Sequence, residues 1–245
     1  MNLLNRRPAP TDLAVSMRTE FQSASSSLLP LLRLVSPSLP VGTFAWSEGL
    51  ESAVELGWVR NAADAHQWIL GRLNGAIAGL DLPITDRLLR AHTANRNSDA
   101  LEWSARLIAS RETRELRDQE RQLGRSLARL LANTGVPEAD AWSKHRLATW
   151  SGLFALAGAR LGIERGALLE GYAFTWCESQ VTAAIKLVPL GQTQGQQLLV
   201  ALISQIADAV ERATALADHE VGASEPGLAI ASALHEIQYS RLFRS

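Results

Sequence analysis

LVALISQIADAVERATALA, residues 199–217, is the stretch that decides the fold class. Leu199, Leu202, Ile203, Ile206, Val210, Ala213 and Ala217 recur at the intervals of one stripe on a helix of roughly 3.6 residues per turn. A strand would alternate every second residue instead, and runs of alternating β-branched residues are nearly absent from the chain. The stretch predicts a long core helix of about five turns.

The same period extends outward. Asn61 and Asp64 form an N-cap with an acidic third residue, and Ile69, Leu73, Ile77 and Leu80 then share one stripe, with Pro83 expected to interrupt or restart the helix. Gly71, Gly75 and Gly79 repeat every fourth residue, which weakens a helix by about 1 kcal/mol each and predicts close helix contact. Further helices are expected near 98–110, 112–132, 145–161 and 166–187, separated by Gly135, Pro137, Gly162 and Pro189, with a last one over 226–240. The predicted fold is all-α, a single-domain helical bundle of roughly eight to ten helices over residues 28–245. Residues 1–27, rich in Ser, Pro and Arg, bury too little apolar surface to offset ordering entropy and are expected to form a mobile N-terminal tail.

Composition narrows the function. The chain has 245 residues, 47% of them apolar, with 24 Lys plus Arg against 25 Asp plus Glu and a formal charge of -1. That balance argues against general nucleic-acid binding, which needs a basic excess, and points to protein partners. Cys177 is the only cysteine, so neither an internal disulfide nor a CxxC motif is possible, and a reducing, cytoplasmic location is expected. No apolar run is long enough for a signal peptide or a membrane span.

The motifs of catalysis are missing. Neither of the two lysines, Lys144 and Lys186, follows a glycine, so the chain cannot bind a nucleotide through a P-loop. His66, His92, His145, His219 and His235 are scattered, each read as a surface or hydrogen-bonded residue, and no GxSxG elbow occurs. No catalytic residue, cofactor or metal site is expected.

Two segments carry interface chemistry. Arg111, Arg114, Arg117, Arg121, Arg125 and Arg129 fall within about 120° of one helix face, with Leu116, Leu123, Leu127 and Leu130 opposite. This reads first as a solvated face, and alternatively as a docking stripe for an acidic protein surface. From Tyr239 onward, one Tyr, two Arg, one Leu and one Phe crowd into seven residues, the composition of an interface hot spot. The alternative is a terminal segment folded back with Leu242 and Phe243 buried.

Four stretches carry a resemblance: SPSLPVGTFAWSEGLE at 36–51, with a stiff turn before a helix expected near Phe44; RETRELRDQERQLGRSLARLL at 111–131; KLVPLGQTQGQ at 186–196; and LHEIQYSRLFRS at 234–245. In this order they resemble the UreF family of urease accessory proteins, which more often has tyrosine where Trp46 stands and varies at Glu48. The resemblance implies a homodimeric urease maturation chaperone, without enzyme activity of its own, that joins UreD (also called UreH), the GTPase UreG and apo-urease in GTP-dependent nickel insertion. It implies that Tyr239, Arg241, Leu242, Phe243 and Arg244 meet UreD; the LVPLGQ turn with Lys186 and Gln192, together with the 36–51 segment and its Phe44, Trp46 and Glu48, is in turn expected to border the UreG-facing or dimer surface. A regulator of an unrelated GTPase, or a helical adaptor, is the alternative.

Overall fold

Asn61 starts the longest helical rod as expected, its side-chain oxygen accepting from the Asp64 N–H at 3.0 Å. In the computed structural model, which describes residues 28–245, that rod runs as α3 (Ala62–Arg72), a π-helical segment (Leu73–Asp81) and α4 (Leu82–Thr93). The tail expected over 1–27 lies outside the described residues. Pro83 marks the restart of the α-helix rather than a break in the rod: it occupies the first turn of α4, directly after the wide π turns, where a missing N–H is tolerated.

The π segment also corrects the reading of its glycines. Their neighbour is a loop and not a helix. The Gly222 N–H donates to the Gly79 carbonyl at 2.9 Å, and a Cβ on Gly79 would stand 2.9 Å from the Gly222 carbonyl. Glu225, at the end of the same loop, accepts from the Ala76 N–H at 2.7 Å. Gly71 faces open space.

The described residues contain helices and no strand, so the all-α bundle expected from the periodicity is present. A short helix spans 28–34 (α1) and another Leu50–Glu55 (α2). α5 (Asn97–Ser110) and α6 (Arg114–Ala132) follow the rod, and the Thr113 hydroxyl caps α6 by accepting from the Leu116 N–H. A 3-10 helix (Pro137–Trp142) precedes α7 (Trp150–Leu161), which therefore begins five residues later than the predicted 145. α8 (Arg165–Leu187) is the longest helix at 23 residues and buries Leu168, Leu169, Ala173, Cys177, Val181 and Ala184.

The stretch 199–217 forms two helices, α9 (Gln192–Ile203) and α10 (Ile206–Ala215). The Ser204 hydroxyl bonds back to the Ala201 carbonyl at 2.8 Å, a local alternative that bends or ends helices. Leu199 and Leu202 remain buried on one side of the break, and Ile206, Ala209 and Val210 on the other, while Ile203 is left exposed. α11 (Pro226–His235) stops short of the predicted 240.

Packing between α6 and the entry to α7 leaves no room at Gly124, where a Cβ would stand 2.5 Å from the Ala148 carbonyl oxygen. Gly124→Ala is expected to destabilise the fold by about 1–3 kcal/mol, whereas Gly71→Ala stabilises it by about 0.5–1 kcal/mol; urea unfolding of the two variants checks the opposite signs.

His92, buried at the end of α4, is lowered to about 4, first by burial and then by the Arg160 guanidinium beside it. The unfolded chain takes up that proton near the ordinary value of about 6.5. Stability is therefore complete above about pH 6.5 and falls toward pH 4, by up to about 3 kcal/mol. Unfolding at pH 7 and pH 4.5 should show a smaller loss for His92→Gln than for the parent chain.

Candidate partner-binding site

The site is built on buried charge. Glu48 and Gly49 take left-handed backbone conformations, with φ of 53° and 80°, at the turn before α2. For Glu48 this strain costs of order 1 kcal/mol and persists because the side chain is held on several sides. Its carboxylate meets the Arg72 guanidinium at 2.8 Å, accepts from the Trp176 indole N–H at 3.0 Å and accepts from Gln119 at 2.6 Å. Burial raises the Glu48 carboxyl, but Arg72 and the Trp176 hydrogen bond outweigh it and hold the group below the usual carboxylate range. Arg72 also reaches Glu225 at 3.3 Å and lies over the Trp176 ring at 5.1 Å.

Beside this group, Arg111 bridges Asp81 and Glu120. Glu120 accepts from the Trp150 N–H at 3.0 Å, and the Tyr172 hydroxyl donates to Asp81 at 3.2 Å. Burial raises Glu120 above the usual carboxylate range despite the pull of Arg111. A cavity of about 30 Å³ lies between the two groups, room for about one water molecule.

The C-terminal segment closes over the Glu48 turn. Glu51, on α2, accepts from the Leu242 N–H at 2.6 Å and from the Phe243 N–H at 2.9 Å. His235 stands between two carboxylates, with Nε2 3.2 Å from Glu51 and Nδ1 2.7 Å from Glu115, and Glu115 also holds Arg241 at 2.8 Å. The Ser47 N–H donates to the Ser245 carbonyl at 2.8 Å, and the Arg244 N–H to that of Ala45 at 2.9 Å. Phe243 is buried at 6% exposure, while Leu242 is 63% and Tyr239 fully exposed. The segment is thus pinned through Phe243 and displays its other side. Arg241 and Arg244 border a polar groove of about 590 Å³ between this segment and the start of α6.

The structure brings most of the sequence-derived residues together here, in different roles. Trp46 is buried at 4% exposure beneath Arg244, whose guanidinium lies 5.9 Å from the ring. Glu48 points inward, and Phe44, in a 3-10 turn (Thr43–Ala45) where a helix was expected, is half-buried. Lys186 is exposed and lies 5.5 Å from the Phe243 ring, while Gln192 is exposed at the start of α9 with no side-chain hydrogen bond among the described residues. Arg111 leaves the arginine row altogether, because α6 begins at Arg114 and Arg111 turns into the core.

Sequence reading missed the outer face of α11. Ile230, Leu234 and Ile237 are 51%, 40% and 81% exposed, and their spacing of four and three residues puts them on one stripe leading to Tyr239. The spacing was legible, but an apolar stripe is ordinarily assigned to the core. Among the described residues no three His, Cys, Asp or Glu side chains converge on a possible metal position, and no helix is long and apolar enough to cross a membrane.

The family model described as UreF matches residues 59–203. A urease accessory protein UreF of Alkalilimnicola ehrlichii is 49% identical over 218 residues, 88% of this chain and 94% of that relative. The proteins of the same name in Teredinibacter turnerae and Alcanivorax borkumensis are 45% and 42% identical, covering 90% of this chain in each case and 100% and 99% of their own lengths.

Glu51→Gln replaces one accepting oxygen with a donor and should release the segment at a cost of about 1–3 kcal/mol. Hydrogen exchange at the Leu242 and Phe243 amides is expected to accelerate by about tenfold or more; unchanged protection in the variant would show that Glu51 does not hold them.

Proposed function

The chain belongs to the UreF family of urease accessory proteins, and from that premise we propose that it is the scaffold on which UreD and the GTPase UreG assemble to load nickel into apo-urease. The observation that carries this reading is the pinned C-terminal segment, with its apolar stripe turned outward. Ile230, Leu234 and Ile237 form an exposed stripe, and Tyr239 and Leu242, also exposed, follow it on a segment held from beneath by Phe243, Glu51 and His235. A face already ordered does not lose conformational entropy again on binding, so its apolar area goes further toward affinity. In this reading the face, with Arg241 and Arg244 at its edge, receives UreD.

The chain has no P-loop of its own, so the GTP chemistry is assigned to UreG. Lys186 and Gln192, exposed at either end of the α8–α9 turn, are assigned to the UreG-facing or dimer surface. A homodimeric scaffold that prefers one nucleotide state of UreG shifts the population of that state and so couples hydrolysis to release of nickel, the cargo. Trp46 and Glu48 contribute by shaping the ledge on which the C-terminal segment rests, and Phe44 flanks it.

Co-purification tests the assignment. The parent chain should retain UreD and UreG, and the double variant Ile237→Asp/Leu242→Asp should retain at most about a tenth of the UreD while unfolding at an unchanged temperature. Lys186→Ala and Gln192→Ala should keep UreD and lose urease activation. Full UreD retention by the double variant would move the interface elsewhere, and failure of the parent chain to retain either partner would remove the scaffold reading.

A further inference from the structure

Arg114, Arg117, Arg121, Arg125 and Arg129 run along one side of α6. At about 1.5 Å rise per residue the row is roughly 22 Å long, with successive members about 5–6 Å apart along the axis. The acidic residues of the helix neutralise it only in part. Glu120 turns inward to Arg111, and Glu115 is taken up by His235 and Arg241. Asp118 remains, 3.4 Å from Arg114 and 3.6 Å from Arg121. Arg117 donates to the Arg111 carbonyl at 2.6 Å and Arg129 to the Ser126 hydroxyl at 3.2 Å, and neither has a carboxylate partner among the described residues.

The loop before α7 strengthens the row. Arg121 donates to the Arg146 carbonyl at 3.4 Å, which places a further basic residue, itself exposed, beside its middle. Because the whole chain carries a formal charge of -1, these cations are a local concentration that the composition conceals.

We infer that this face of α6 docks a carboxylate-rich polypeptide segment of a protein partner. Guanidinium groups at this spacing match Asp or Glu at every third or fourth position of a partner helix, and their planar forks suit carboxylate pairing. Nucleic acid is the weaker match, since phosphate binders carry a basic excess over the domain. The row adjoins the C-terminal face, since Arg114 lines the same groove as Arg241 and Arg244, but it uses carboxylate pairing where that face uses apolar contact.

The test uses the full-length chain and a fluorescent 16-residue helical peptide with Glu at every third or fourth position, read by anisotropy. Saturable binding is expected, weakening about tenfold or more between 50 and 300 mM salt. Arg114→Glu/Arg121→Glu/Arg129→Glu should weaken it at least about tenfold, and Arg60→Glu/Arg96→Glu, at exposed arginines elsewhere, less than about twofold. The triple glutamine variant replaces the glutamate one if charge reversal prevents folding, with a smaller loss in the same direction. Absence of saturable binding, an equal loss in the control variant, or tighter binding of a single-stranded oligonucleotide of the same charge through this row would each overturn the inference.

Discussion

Arg72 and Arg111 are permanent cations in the interior of a helical bundle, and the arrangement of the remaining chain follows from satisfying them. Arg72 is matched by Glu48 from the turn before α2, Glu225 from the loop before α11 and the Trp176 ring from α8. Arg111 is matched by Asp81 from the π segment and Glu120 from α6. Removing one partner from such a pair leaves an uncompensated buried charge, which costs about 3–5 kcal/mol. Two guanidinium groups therefore fix the relative positions of five segments that are far apart in sequence. Apolar contact alone would tolerate sliding among them, because hydrophobic burial is non-directional.

The C-terminal segment depends on that arrangement at one remove. Its ledge is the strained Glu48–Gly49 turn, and a Cβ on Gly49 would crowd Leu228 at 3.1 Å and Ala231 at 3.4 Å, so α11 rests directly on the turn. Glu51, in the first turn of α2, then catches the two amides of the segment. The buried ions, the turn, α11 and the outward apolar row are linked through direct contacts. Arg72 is thus connected to the exposed residues of the C-terminal segment through packing and hydrogen bonds.

Much of this was legible in the sequence where the signal is local. The helical period, the Asn61 cap and the hot-spot composition of the last residues all depend on neighbours within a few positions. The errors have physical causes of the same kind. Ser204 ends a helix through its own hydroxyl while the apolar spacing runs on past it. The π segment keeps Leu73, Ile77 and Leu80 on their stripe, so its wider turns leave no mark on the pattern. Glu48 and Arg111 resemble surface residues by type, and the partners that draw them inward come from other helices, which spacing along one chain does not reveal. Leu242, Phe243, Arg244 and Ser245 alternate between exposed and buried, an extended pattern that the expected helix up to 240 obscured.

The π segment ties the number of residues in the rod from Ala62 to Thr93 to the placement of the buried ions. Each residue of a helix advances its faces by about 100°. A one-residue deletion between Leu73 and Leu80 would let the rod wind as a regular α-helix, with better local hydrogen bonding. It would also change the rise and rotation between Arg72 and Asp81, and with them the placement of Asp81 against Arg111 and of the Gly79 carbonyl against Gly222. At this place conservative substitution preserves the protein more readily than the loss of a single residue, because the register of the buried ions is kept by the number of residues as well as by their kind.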